Sequence, residues 1–88
     1  MNQSAKSRVT VLSKLGLHAR PAAYLVKTAQ RFRADIYIST GRRVANAKSI
    51  MELLMLGAEY GHKVEVQTKG PDALAAAQAM ERAFYAAR

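Results

Sequence analysis

The heptapeptide Gly16-Leu17-His18-Ala19-Arg20-Pro21-Ala22 brings an imidazole, a guanidinium and a proline into one short stretch. Behind the proline, Ala22 to Arg31 carries a helical pattern, with Ala23, Val26 and Ala29 apolar and Leu25 beside them. Proline suits a first helical turn, where its missing N–H would have no partner anyway. The spacing therefore predicts His18 at or just before a helix N-terminus and Arg20 in the first turn. Unpaired backbone N–H groups and the positive end of the helix dipole converge there, an environment suited to phosphate. A lone histidine is ordinarily a surface or capping side chain. In this setting its neutral ring is a nucleophile that can take a phosphoryl group, hold it as a phosphoramidate and pass it on. Such transfer asks chiefly for positioning and charge stabilisation. The planar fork of Arg20 can grip two phosphate oxygens, which also explains a cation at the positive end of a dipole. Either ring nitrogen of His18 could serve, and Pro21 has no chemistry of its own.

A second stretch, Asn46-Ala47-Lys48-Ser49-Ile50-Met51-Glu52-Leu53-Leu54-Met55-Leu56-Gly57, carries different signals. Ser49 and Glu52 form a capping box, which a helix cap worth ~1 kcal/mol is sufficient to explain. The short helix it opens is apolar nearly all round, and a thin domain cannot bury every side. Leu53 and Leu56 are expected to face the core. Ile50, Met51, Leu54 and Met55 are expected to form a methionine-rich docking patch for a partner. Lys27, Arg20 and Lys48 would rim it and meet acidic partner surfaces. His62, after Gly61 at a turn, reads as structural, and two histidines far apart with no carboxylate pair give no metal site.

The elements that must hold these residues follow from periodicity. Arg8 to Leu12 alternates as a first strand, and the first helix runs from the His18 segment to about Phe32. Asp35 to Ser39 and Arg43 to Asn46 form a hairpin through Gly41-Arg42. Ser49 to Gly57 is the second helix, His62 to Thr68 the fourth strand, and Asp72 to about Ala87 the last helix, with Leu74, Ala77, Met80 and Phe84 on its apolar side. The order is β-α-β-β-α-β-α, an α+β chain with a half-buried antiparallel sheet covered by helices on one face. The other face is expected to be wet, with Thr10, Ser39 and Thr68 on it.

Eighty-eight residues make a single domain, 1–88, with a thin core and no room to enclose a substrate. The chain has no cysteine, which excludes disulfides and thiolate zinc sites and suits a reducing cytoplasm. Met1 to Ser7 is polar and no apolar run is long enough to span a bilayer, so neither a signal peptide nor membrane insertion is expected. The formal charge of +8 points to acidic partners, though the basic residues are spread along the chain without a dense run. A basic nucleic-acid-binding domain would explain that charge, but the chain lacks paired stacking aromatics and a Gly-X-X-Gly loop, so no nucleic acid is expected. A regulatory module with the same fold and no carrier activity would be expected to lack His18.

Taken together, the His18 heptapeptide and the Ser49 segment, in this order and at this separation, resemble the two signatures of HPr, the histidine-containing phosphocarrier family of the phosphoenolpyruvate-dependent phosphotransferase system. The resemblance implies an HPr-like open-faced β-sandwich, four antiparallel strands with three helices on one face. It implies a phosphoryl carrier and not an enzyme, loaded on Nδ1 of His18 by enzyme I, with Arg20 stabilising the phosphate. Delivery would be to enzyme IIA-type proteins, in sugar uptake or its regulatory branch. It further implies that Ser49 can be a phosphoserine made by an HPr kinase/phosphorylase. No cofactor is expected, and a carrier that meets two partners in turn is easiest to picture as a monomer.

Overall fold

The computed structural model describes residues 2–87; Met1 and Arg88 lie outside them. Four strands and three helices follow in the order β1 (Gln3–Thr10), α1 (Ala19–Ala29), β2 (Asp35–Ser39), β3 (Val44–Asn46), α2 (Ile50–Leu56), β4 (Lys63–Gly70) and α3 (Ala73–Ala86). The strands form one antiparallel sheet in the order β1-β4-β2-β3, so β4 enters between the first two strands. All three helices lie on one face, α3 against β1, β4 and α1, and α2 against α1 and β3. This is the open-faced sandwich and element order expected from the sequence.

Period-two alternation sets the faces. Ile36 and Ile38 of β2, Val64 and Val66 of β4 and Ala45 of β3 point under the helices and are buried. There they meet Leu25 of α1, Leu53 of α2 and Met80 and Phe84 of α3. Lys6, Arg8, Tyr37, Gln67 and Lys69 alternate onto the open side and are exposed. Thr68 departs from the expected wet face. It lies in phase with Val64 and Val66, is buried, and its hydroxyl donates to the Ala73 carbonyl at 2.8 Å. The bond satisfies a group whose burial would otherwise be costly, and it ties the end of β4 to the first turn of α3.

Boundaries and faces differ from expectation in places. β1 begins at Gln3, because the polar residues before Arg8 pair along the whole length of β4, from Gln3 opposite Gly70 to Thr10 opposite Lys63. An edge strand needs backbone partners more than apolar side chains. On α1 the buried stripe is Pro21, Ala22, Leu25, Thr28 and Ala29, with Ala23 exposed. On α3, Leu74 is exposed, and Ala73, Ala76, Ala79 and Ala83 join Ala77, Met80 and Phe84 in the core. Alanine-lined packing lets α3 approach its neighbours closely, and leucine at position 74 falls outside that stripe.

Asp72 precedes α3 without capping it by its side chain. Both carboxylate oxygens serve the α1–β2 turn instead, accepting from the Arg33 N–H at 3.0 Å and the Ala34 N–H at 2.8 Å. The Arg33 amide is the largest cause holding this carboxyl below its ordinary value; partial desolvation opposes it, and the Ala34 amide, its own amide and the charge of Lys48 add to the lowering. Its contribution to stability is therefore complete above the unfolded-state carboxylate pKa and is lost as pH falls through the depressed folded value. Asp72→Asn is expected to lower stability at neutral pH and to flatten the acid limb of a stability–pH curve. Chemical denaturation of both proteins across the acid range measures this, and parallel curves would exclude the role.

Candidate functional site

The loop between β1 and α1 is strapped to the segment joining α2 and β4. The Val11 N–H donates to the His62 carbonyl at 2.9 Å and the Gly61 N–H to the Val11 carbonyl at 2.9 Å. Further along, the Leu17 N–H donates to the Ala58 carbonyl at 3.0 Å. Leu17 and Val11 are both buried. The loop is thus pinned at both ends, and His18 stands directly after the second pin.

His18 is the N-cap of α1, in extended conformation, and its side chain makes no capping hydrogen bond. Its carbonyl accepts from the Ala22 N–H at 3.0 Å, the first bond of the helix, while its own N–H donates to Gly16 at 2.9 Å. The imidazole is half-buried and engages no other described side chain, so its nitrogens are available for chemistry. Ala19 and Arg20 occupy the first two helical positions, where amides lack intrahelical acceptors, and Pro21 in the third has no amide to orphan. Arg20 is exposed, and its guanidinium makes no hydrogen bond or ion pair among the described residues. His18 and Arg20 line one open cleft of about 600 Å³ with Leu12, Ser13, Lys14, Leu15 and Tyr60. The cleft is a shelf at the surface with no enclosed chamber, which suits a group that must be reached from outside.

Ser49 is the N-cap of α2, its Oγ accepting from the Glu52 N–H at 3.2 Å, and Gly57 closes the helix in the left-handed conformation. The capping box is half formed: Glu52 Oε1 accepts from the Asn46 N–H at 2.9 Å instead of reaching back to Ser49, whose own N–H donates to the Asn46 carbonyl. Leu53 and Leu56 are buried, whereas Ile50, Met51, Leu54 and Met55 are 41%, 67%, 42% and 69% exposed and form a continuous apolar surface. Lys27, in the last turn of α1, is exposed. Lys48 is not a free rim cation: its ammonium donates to the Phe32 carbonyl at 2.8 Å, beyond the end of α1. Arg43 takes a place at the patch that the sequence did not suggest, donating from Nη1 to the Met55 carbonyl at 2.9 Å. His62 is occupied locally, its Nδ1 accepting from the Glu59 N–H at 3.2 Å. The described residues contain no cluster of potential metal ligands and no helix long and apolar enough to cross a membrane.

Comparison with known proteins places this arrangement. The family model described as the PTS HPr component phosphorylation site matches residues 5–86. The chain belongs to the HPr family. HPr proteins are the phosphocarriers of the phosphotransferase system, so the chain is a carrier of phosphoryl groups rather than an enzyme. It is 43% identical over 76 residues to the phosphocarrier protein HPr of Treponema pallidum, covering 86% of each chain. A phosphocarrier HPr from Bacillus anthracis superposes with a TM-score of 0.85 at 41% identity, over 91% of this chain and 95% of that one. Crh of Bacillus subtilis, an HPr-like catabolite repression protein solved as a domain-swapped dimer, superposes with a TM-score of 0.77 at 35% identity, over 90% of this chain and 91% of Crh. Tyr60 joins the cleft only through tertiary structure: it comes to it across the strap, and nothing in its local pattern marks it.

Proposed function

We propose that His18 accepts a phosphoryl group from phosphorylated enzyme I and delivers it to enzyme IIA-type proteins. The observation that carries this reading is an imidazole at the head of α1 that, like the Arg20 guanidinium lining the same cleft, has no hydrogen-bond partner among the described residues, next to first-turn amides without intrahelical acceptors. The lone pair of the unprotonated ring nitrogen, Nδ1 in the family pattern, attacks phosphorus while the bond to the donor's leaving atom breaks. Arg20 and the helix terminus offset the charge on the phosphate oxygens. The reverse displacement, with the acceptor as nucleophile, discharges the carrier. The test is incubation with phosphoenolpyruvate and enzyme I, followed by an assay for an acid-labile phosphoryl group on the chain.

The α2 surface of Ile50, Met51, Leu54 and Met55 is the docking face in this reading, with Lys27 and Arg20 as cations toward acidic partner groups. Lys48 supports it from behind, holding the end of α1. Ser49, at the head of that surface, is the regulatory position for an HPr kinase/phosphorylase: a phosphate there would be compatible with the helix N-terminus but would set a dianion facing the partner. Ser49→Ala is expected to cost about 1 kcal/mol of stability through the lost cap. Ser49→Asp is expected to keep the cap and to slow loading by enzyme I, roughly 10-fold or more if a fully formed phosphoserine is imitated. Loading rates and denaturation midpoints check both, and an unchanged rate in Ser49→Asp excludes the switch. The carrier works in this reading as a cytoplasmic monomer, in sugar uptake or its regulation.

A further inference from the structure

We propose that Lys14 and Tyr60 hold the phosphoryl group on His18 together with Arg20, Lys14 as a second full positive charge and Tyr60 as a phenolic hydrogen-bond donor. The inference rests on the reading of His18 as the acceptor. The cleft at the head of α1 has two walls: the β1–α1 loop, which presents Lys14, and the α2–β4 turn, which presents Tyr60. The backbone bonds from Leu17 to Ala58 and between Val11 and the Gly61–His62 turn keep these walls at a set separation. Both side chains are exposed, and neither is engaged in a hydrogen bond or ion pair among the described residues.

The charge balance asks for such groups. A phosphoryl group adds ~1.5 to 2 negative charges near neutral pH. Arg20 supplies one full positive charge, and the helix terminus supplies only a fractional one that falls off within the first turn. Among the described residues, no carboxylate lines the cleft. Glu59, next to Tyr60 in the chain, is turned to His62, with its Oε1 3.8 Å from Nε2. A lysine ammonium acts as a flexible point charge and needs no fork geometry, so it can follow the phosphate as the donor leaves and the acceptor arrives. The phenol of Tyr60 donates one hydrogen bond to a phosphate oxygen. Neither group forms a bond to phosphorus or transfers a proton; both lower the energy of the loaded carrier. Exposed lysines are ordinarily solvated and contribute little. Lys14 is set apart by its place on a pinned loop, lining the same cleft as the acceptor with no carboxylate of the described residues in that lining.

The experiment loads the wild-type chain and the Lys14→Ala, Lys14→Arg, Tyr60→Phe and Lys69→Ala proteins with labelled phosphoenolpyruvate and enzyme I. Two quantities are read: the equilibrium between loaded enzyme I and loaded carrier, and the lifetime of the purified loaded carrier. The second needs no partner, so lost docking cannot imitate it. Lys14→Ala is expected to shift the equilibrium toward the donor by roughly 3- to 10-fold and to change the lifetime, with Lys14→Arg restoring both. Tyr60→Phe is expected to shift the equilibrium by roughly 2- to 5-fold. Lys69, on the open face of the sheet, removes the same charge away from the cleft and should leave both readouts at the wild-type value. Wild-type values in Lys14→Ala and Tyr60→Phe, with normal loading of the wild-type chain, overturn the proposal and leave the acceptor reading intact. Equal shifts in Lys69→Ala and Lys14→Ala also overturn it. A wild-type chain that takes no label overturns the acceptor reading and this proposal with it.

Discussion

Replacing His18 with alanine is expected to lower phosphoryl acceptance from enzyme I by roughly 10³-fold or more, to the limit of detection. Among the described side chains at the head of α1, His18 carries the only imidazole, and Arg20 and Lys14 serve as cations that hold the phosphate. The same substitution should cost less than about 1 kcal/mol of stability, because the imidazole makes no capping bond and is only half-buried. The two effects are thus separable: a folded protein with an unchanged unfolding midpoint and no acid-labile label. Retention of label in His18→Ala would move the acceptor elsewhere, and His62 would be the first alternative to examine. That ring already accepts a hydrogen bond from Glu59 and faces its carboxylate, which makes it a poor anion site.

A large effect on stability is expected from Gly16→Ala. Gly16 has φ +75°, and a Cβ built there would lie 2.6 Å from the Ala58 carbonyl oxygen and 3.2 Å from Glu59 Cα. The left-handed backbone and the backbone clash each cost a side chain ~1–3 kcal/mol, so a loss of roughly 2–6 kcal/mol is expected. The clash falls on the same carbonyl that accepts from Leu17, so relief would part the strap and carry His18 away from its place. Loading should slow along with the loss of stability. Gly41→Ala is the comparison: its φ of +87° is similar, but nothing lies within 4 Å of the added Cβ. It should lose only the conformational part, about 1 kcal/mol, and load normally. Urea denaturation and the loading assay on the two proteins decide it, and equal losses would exclude the close approach as the cause.

Much of this organisation can be read from the chain. β2, the Ser49 and Gly57 ends of α2, and His18 at the head of α1 follow from local signals: alternation, a capping residue, a left-handed stop and a proline early in a helix. Where local signals mislead, a tertiary partner has taken over. Thr68 looks like a solvent-facing β-branched residue until the carbonyl of Ala73 gives its hydroxyl a buried partner. Glu52 looks like the returning arm of a capping box, but the unpaired Asn46 amide lies within reach and takes its carboxylate. Asp72 reads as the opening residue of the last helix, and two amides of a turn far away in sequence claim its carboxylate. Lys48 looks like a free surface cation, and Phe32 captures it. Each is a polar side chain with several possible partners, and sequence shows only the near ones. The same limit hid Tyr60, whose importance lies entirely in what faces it.

The strap beneath His18 also orders events in time. The histidine leaves the ribosome before Ala58, Gly61 and His62, the residues whose carbonyls and amides pin its loop, and among the described strands β1 neighbours β4 alone. A nascent chain that ends before β4 can form α1 and the β2–β3 hairpin, but its first strand has nothing to pair with and its acceptor loop has no far wall. Long-range pairing of this kind is the slow part of assembly. Competence to carry cargo therefore arrives together with closure of the sheet, and a truncated translation product would display the histidine without the shelf that makes it useful.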